Sequence, residues 1–404
     1  MGADGAARIT FVGDIMCEKP LQRAWNSGGD AVFDRVFSRT GALFAASDYV
    51  VGNLETVFAG PARGYTRELY RFNTPDGFAR AIAKGGIHLL TTATNHCLDG
   101  GVEGLDRTLA VLDRCGLAHT GTFRSPAEPR FLVRRIGGLR VAFLNYTYGV
   151  NVHETGIVLP PQDLFRLNLL KPQTLRLQRY VGTPAGTFRR RVSSVLRRFT
   201  SDETRVRLKR LLRMPYYAVR VDDIDEGEPY RAYLPALFAD LTEARRNADC
   251  VIACLHCGGQ FYPSPGGLSA FYDAFFAENG ADAVVCHHAH VVQPLSMSGR
   301  VPVAYCLGNY SVSPSSVYLP PEHQPDCSVA LHLTLTASGV TDVSYSVLKT
   351  VEERGVPVTW PADTLYETLG PRDRESLLRE VDAVRKRFCG HRCEDAPPRR
   401  EYKL

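Results

Sequence analysis

No stretch of this 404-residue chain approaches the ~18 to 20 consecutive apolar residues that a membrane helix requires. The start, MGADGAARITFVGD, also lacks a charged region followed by an apolar one. It enters its first strand-like run directly, so no secretory leader is expected and the chain reads as cytoplasmic. No internal repeat is present. The cysteines number 11, an odd count, and Cys250, Cys254, Cys286 and Cys306 lie inside apolar runs. Reduced core thiols are therefore expected rather than a disulfide framework. Cys254 and Cys257 have zinc or redox spacing, yet a strand would send their sulfurs to opposite faces. Cys389 and Cys393 bracket Gly-His-Arg with no second cysteine pair nearby, so the tail reads as plain polar chain.

What is present is ordinary in bulk and unusual in pattern. An apolar content of 44% with 23% charged residues suits a globular enzyme, and the length allows one large α/β domain or two smaller ones. Five short apolar runs each end in a metal-type ligand: ITFVGD (9 to 14), VVGNLE (50 to 55), TTATNH (91 to 96), VIACLH (251 to 256) and AVVCHHAH (283 to 290). In α/β proteins the carboxyl ends of strands converge on one edge of a sheet, so residues far apart in sequence meet there. Asp14, Glu55, Asn95, His96, His256, His288 and His290 are therefore expected to share a site. Each taken alone reads as a cap or a loop residue; the recurrence is the signal. Carboxylates mixed with imidazoles suit Mn, Zn or Fe, and seven ligand-type groups exceed the needs of one tetrahedral ion, so two divalent ions are expected. His288 and His290 flank one alanine, and an extended segment would present both rings on the same face.

At these residues the chain resembles the CapA-type capsule-synthesis proteins, the poly-γ-glutamate cap family, a branch of the calcineurin-like metallophosphoesterases. The matching words are GDIM (13 to 16), GNLET (52 to 56), ATNHCLDGG (93 to 101), YTYGVN (146 to 151), LHCGGQFY (255 to 262), CHHAHVVQP (286 to 294) and YCLGNY (305 to 310), in order over residues 8 to 350. The resemblance implies a four-layer α/β/β/α sandwich with a metal site at the strand ends. The wider superfamily begins with Asp-x-His where this chain has Asp14-Ile15-Met16, so one imidazole is missing and a weaker or open first metal position is expected. A family Glu is replaced by Gln260, which can position a water but cannot take its proton. Cys286 and Ala289 stand where the family has Gly and Pro.

The alternation of strand and helix patterns from residue 8 to about 145 predicts a parallel-rich sheet. Helices are expected over 22 to 46, 75 to 85, 104 to 115, 233 to 247, 268 to 279 and 371 to 388. Residues 328 to 348 read as a hairpin turning at Ser338-Gly339. The expected division is a domain over 1 to 350 and a C-terminal helix with polar tail over 351 to 404. Residues 152 to 230 read as an insertion forming a basic helical lid. Between Arg166 and Arg213 there are 14 Lys or Arg against Asp202 and Glu203, a balance of +12 in a chain of net +5. Two amphipathic helices joined near Thr200-Ser201 account for the apolar stripes. Few aromatics interleave the charges, so nucleic acid is not the expected partner. The charge suits an anionic small-molecule or oligomeric substrate, which Arg189, Arg190 and Arg191 would recruit.

The resemblance assigns Asp14, Glu55 and His290 to one ion and Asn95, His256 and His288 to the other, with Glu55 bridging and a shared hydroxide as nucleophile. His96 is placed as general acid, oriented by Asp99. Asn53, Gln260, His287 and Asn309 are placed toward substrate. Two functions stay open: a metal-dependent hydrolase or transferase acting on a γ-glutamyl-type amide or a phosphoester, and a non-catalytic component of a capsule-type biosynthetic assembly.

Overall fold

The computed structural model describes residues 5–66, 69–173, 200–212, 222–390 and 396–404. Its strands are β1 (Ala7–Ile15), β2 (Tyr49–Leu54), β3 (Leu89–Thr91), β4 (Ala118–Thr120), β5 (Phe131–Ile136), β6 (Leu139–Thr147), β7 (Cys250–His256), β8 (Ala283–His287), β9 (Leu295–Ser298), β10 (Val301–Ala304), β11 (Cys327–Thr336), β12 (Gly339–Glu353), β13 (Val356–Pro361) and β14 (Tyr402–Lys403). They form two sheets, as the four-layer expectation requires. Among the described residues the first runs β13-β12-β11-β1-β2-β3-β4, with β14 also on β12, and the second β5-β6-β7-β8-β10-β9. In the first sheet β1 to β4 form a parallel half that ends at the β4 edge and β11 to β13 an antiparallel half, while the second has a parallel centre, β6-β7-β8-β10, between antiparallel margins.

The near-continuous apolar runs follow from strands buried on both faces. On β6, Val141 and Phe143 point between the sheets while Ala142 and Leu144 point outward; on β7, Ile252 and Cys254 point in while Val251 and Leu255 point out. Ile9, Phe11, Leu89 and Leu331 of the first sheet meet them, with the Phe11 and Phe143 rings 6.5 Å apart. Helices Lys19–Gly28, Ala31–Val36, Asp76–Lys84 and Gly101–Arg114 cover the outer face of the first sheet through residues such as Phe33, Phe78 and Leu109. Helices Leu234–Asn247 and Gly267–Glu278 cover the second through Leu237, Leu241, Tyr272 and Phe276. The result is the four-layer α/β/β/α sandwich. Phe143 is fully buried, and truncation to alanine there costs about 3 to 5 kcal/mol.

Several local outcomes differ from the pattern reading. The helical stretch over 22 to 46 is three short helices, ending in Gly41–Phe44. The run VAYCLGNY leaves the ladder after Ala304; further on, Gly308 takes φ 79° and Asn309 forms a bridge with Asp14 of β1. Residues 351–404 supply β13 and β14 to the first sheet, and Leu377, Val381, Val384 and Phe388 of helix Pro371–Cys389 join the core between the sheets. Within the basic insertion, helix Asp202–Leu211 is capped by Ser201, whose Oγ accepts from the Thr204 N–H at 3.1 Å. Only part of its apolar stripe is covered: Val206 is buried, while Leu208 and Leu211 are exposed. Arg189, Arg190 and Arg191 lie outside the described residues. Among the described residues no helix is long and apolar enough to cross a membrane.

Candidate metal centre

The carboxyl ends of β1, β2, β3, β7 and β8 deliver Asp14, Glu55, Asn95, His256 and His287 to one buried cluster, joined by His288 and His290 from the turn after β8. Asp14 arrives through a close approach of backbones. A Cβ on Gly13 would lie 2.0 Å from the Gly308 carbonyl oxygen, and the Asp14 N–H donates to that same oxygen at 3.0 Å. A bulge between Phe11 and Asp14 shifts the register against β2 and re-aims the carboxylate.

His288 and His290 are not on an extended segment. The strand ends at His287, and His288 and His290 take φ 97° and 58°. Phe261, whose N–H donates to the Ala289 carbonyl at 2.7 Å, also has positive φ, at 60°. Three side-chain-bearing residues in this region within one small volume mark strain held by the surrounding core, each costing on the order of 1 to 3 kcal/mol. The consequence is that the two rings, 5.9 Å apart, serve different groups.

Two sets of residues each place three ligand atoms within 4.8 Å of one another: Asp14, Glu55 and His290, and Glu55, His256 and His288. Glu55 belongs to both. Its Oε1 lies 3.5 Å from His256 Nε2, and its Oε2 lies 3.7 Å from His290 Nδ1. Both oxygens are buried, and among the described residues neither accepts a hydrogen bond. A desolvated carboxylate left this way is costly unless a cation satisfies it, so the donor set fits divalent metal.

The charges are mutually tuned. Burial alone would raise the Asp14 carboxyl, but its contact with His290 and the fields of His287 and His256 hold it down at about 2. Burial alone would lower His290, but Glu55 and Asp14 push it up to about 9. Burial dominates at His287 and lowers it to about 4.

The supporting amides are already committed. Asn53 donates from Nδ2 to Asp14 Oδ1 at 2.8 Å and accepts at Oδ1 from the Thr91 hydroxyl at 2.7 Å. Asn309 donates from Nδ2 to the His290 carbonyl at 2.9 Å, and its Oδ1 lies 2.9 Å from His290 Nδ1. Both, read from sequence as substrate groups, are thus in contact with Asp14 and His290. His287 lies 3.5 Å from Asp14 Oδ1, and Gln260 is half-buried on the loop pinned beside Ala289. Asn95 Oδ1 lies 2.7 Å from His256 Nε2. His96 Nδ1 lies 2.7 Å from Asp99 Oδ2, its Nε2 is 3.9 Å from Glu55 Oε1, and the Phe72 ring covers it at 4.5 Å. Burial disfavours the imidazolium there, yet Asp99 and Glu55 outweigh it and raise the His96 pKa.

A family model described as bacterial capsule synthesis protein PGA_cap matches residues 8–313, the span that contains every one of these groups. The chain belongs to the PGA_cap family. Its similar relatives include the PGA biosynthesis protein CapA of Bacillus subtilis (strain 168), 21% identical over 76% of this chain and 64% of that protein. The capsule biosynthesis protein CapA of Bacillus anthracis is 22% identical over 75% of this chain and 59% of its own length. The uncharacterized protein y4sH of Sinorhizobium fredii (strain NBRC 101917 / NGR234) is 25% identical over 76% of this chain and 66% of its length. The chain thus spans less than two thirds of the length of each of these relatives.

Within this PGA_cap domain, the Asp14 half lacks an imidazole at position 16. Met16 is buried, with its sulfur 3.9 Å from the Tyr318 hydroxyl. Sequence reasoning gave no role to Asn151, although it ends the word YTYGVN. Its Oδ1 accepts from Asn95 Nδ2 at 3.1 Å, and its N–H donates to the Asn95 carbonyl at 2.9 Å. Phe72 was also missed; an isolated aromatic in a loop carries no periodic signal.

Proposed function

We propose that this protein is a divalent-metal-dependent hydrolase or transferase of capsule-type biosynthesis, acting on a γ-glutamyl-type amide or a phosphoester of an anionic substrate. The observation that carries the reading is Glu55, a buried carboxylate with one oxygen turned to each histidine group and no hydrogen bond to either oxygen among the described residues. Asp14, Glu55 and His290 would hold one ion, and Glu55, Asn95, His256 and His288 the other. Two bound ions would supply Lewis acidity and a water deprotonated at neutral pH. The rest falls to the chain's own side chains. His96, its Nδ1 held by Asp99 and its pKa raised, keeps a proton for the leaving group. Asn53 and Asn309 fix Asp14 and His290, and Gln260 can orient a water without accepting its proton.

Elemental analysis of purified protein should find Mn, Zn or Fe, and His288→Ala with His290→Ala should remove most of it. His96→Ala should keep the metal and lose at least about a hundredfold in turnover of a γ-glutamyl oligomer or an aryl phosphate. Unchanged metal content in the double variant would sink the centre, and unchanged turnover in His96→Ala would sink the acid. The second reading, an accessory component of a capsule assembly, is favoured by Met16 and Gln260; it expects bound metal with no turnover of either substrate class.

A further inference from the structure

A groove of about 590 Å³ opens beside the centre, between helix Lys19–Gly28, helix Asp202–Leu211, the turn that carries Arg354, and segment 315–318. Its lining includes Tyr318, whose ring is 6.2 Å from Phe261, and Phe261 in turn lies 5.7 Å from His290. One aromatic layer therefore separates the groove from the proposed ligands. On its rim the chain has already set a carboxylate. Glu203, one of the two acidic residues between positions 166 and 213, receives Lys19 Nζ at 2.8 Å and Arg23 Nη2 at 2.9 Å on one oxygen, and Arg207 Nη2 at 2.8 Å on the other.

Three cations on one carboxylate leave that cluster two positive charges in excess; Glu18 and Glu352 also line the groove, and the Glu18 oxygens accept from the Tyr318 hydroxyl and the Ser313 N–H. Arg354, further along the groove, is exposed and makes no ion pair among the described residues. A focused positive field inside a concave wall concentrates anions. Arginine and lysine together hold a carboxylate through charge-assisted hydrogen bonds, and the geometry around Glu203 is such a clamp.

We propose that this groove is a carboxylate-binding subsite for an extended polycarboxylate chain, with Lys19 and Arg23 as the clamp and Glu203 as a resident surrogate that an incoming carboxylate displaces. The inference rests on the proposed function for the reaction that follows, but not for the binding itself. It places a row of acidic groups on the substrate, spaced along the groove from Lys19 and Arg23 toward Arg354, with Tyr318 and Phe261 between the groove and the proposed ligands.

The test is titration calorimetry on the full-length, metal-loaded protein with a γ-linked glutamate tetramer, and with tripolyphosphate as the competing anion. Arg23→Gln and Lys19→Gln should each weaken tetramer binding by about tenfold. Glu203→Gln should tighten it severalfold, because the surrogate no longer competes. Arg354→Gln, on an exposed turn that docks nothing, should weaken binding with no change in Tm, which keeps the test decisive if the clamp variants fail to fold. If Glu203→Gln weakens binding as Arg23→Gln does, Glu203 only docks its helix and the surrogate is wrong. If tripolyphosphate binds as tightly as the tetramer, the site is a general anion site and the carboxylate assignment falls. Tetramer binding that responds to Lys19 and Arg23 in a protein with no turnover would leave the groove standing and remove the reaction. Turnover that is indifferent to Lys19, Arg23 and Arg354 would do the reverse.

Discussion

At the scale of single residues, the centre depends on positions where backbone geometry leaves no alternative. Gly13 is one, since any Cβ would collide with the Gly308 carbonyl at 2.0 Å and backbone, unlike a long side chain, cannot swing away. Gly13→Ala should cost on the order of 3 kcal/mol or more and detach Asp14 from its partners. A lowered Tm together with reduced metal content checks this; a variant with wild-type values for both would show that β1 can shift freely. Asn151 is the second such position. By holding both the amide and the backbone of Asn95, it keeps Asn95 Oδ1 turned to His256. Asn151→Ala should weaken metal affinity at that half by about ten- to a hundredfold, read by chelator competition, with little change in Tm. The residue types were legible in sequence because each follows an apolar run. The backbone of His288 and His290 was not: spacing alone reads an extended segment with both rings on one face, whereas two positive φ angles, which no spacing rule reports, turn the rings to different groups.

At the scale of elements, helix Gly267–Glu278 carries a buried acid on its inner face. Asp273 Oδ1 accepts from Cys286 Sγ at 3.0 Å, while its Oδ2 is buried with no hydrogen-bond partner among the described residues. Burial pushes this carboxyl up to about 8, against about 3.9 in an unfolded chain. Between those values the folded state keeps a proton that the unfolded state has released. Stability from this group is therefore complete below about pH 4 and declines as pH rises through 8. Asp273→Asn cannot ionise, so its Tm should gain steadily on wild type from pH 5 to 8. A constant offset across that range would show that Asp273 titrates normally. Helix Asp202–Leu211 is a contrasting element: its charge pattern was plain in sequence, yet its docking depends on Val206 and Glu203, which helical spacing alone does not single out.

At the scale of the whole molecule, the chain ends by reinforcing the sheet it began. Tyr402 on β14 pairs with Tyr345 of β12, and their rings lie 5.2 Å apart. Arg385 sits 3.9 Å from the Tyr402 ring, and Glu401 bonds Arg8 of β1 at 2.9 Å. Tyr402→Ala should cost about 2 to 4 kcal/mol, measured by denaturant unfolding, without altering metal content. A loss below about 0.5 kcal/mol would mean that the tail is an ornament on the sheet. Local sequence by itself determined where the strands and most helices lie, because apolar runs bounded by turn residues have few other ways to be buried, and it determined that carboxylates and imidazoles follow those runs. Tertiary structure alone decided which strands share a sheet, since β6, β7 and β8 read like β1, β2 and β3 and only packing across long sequence separations distinguishes them. It also set the contacts of Glu55 with two histidine groups, which the resemblance implied but no single segment of the chain contains, because they depend on two sheets meeting at one edge.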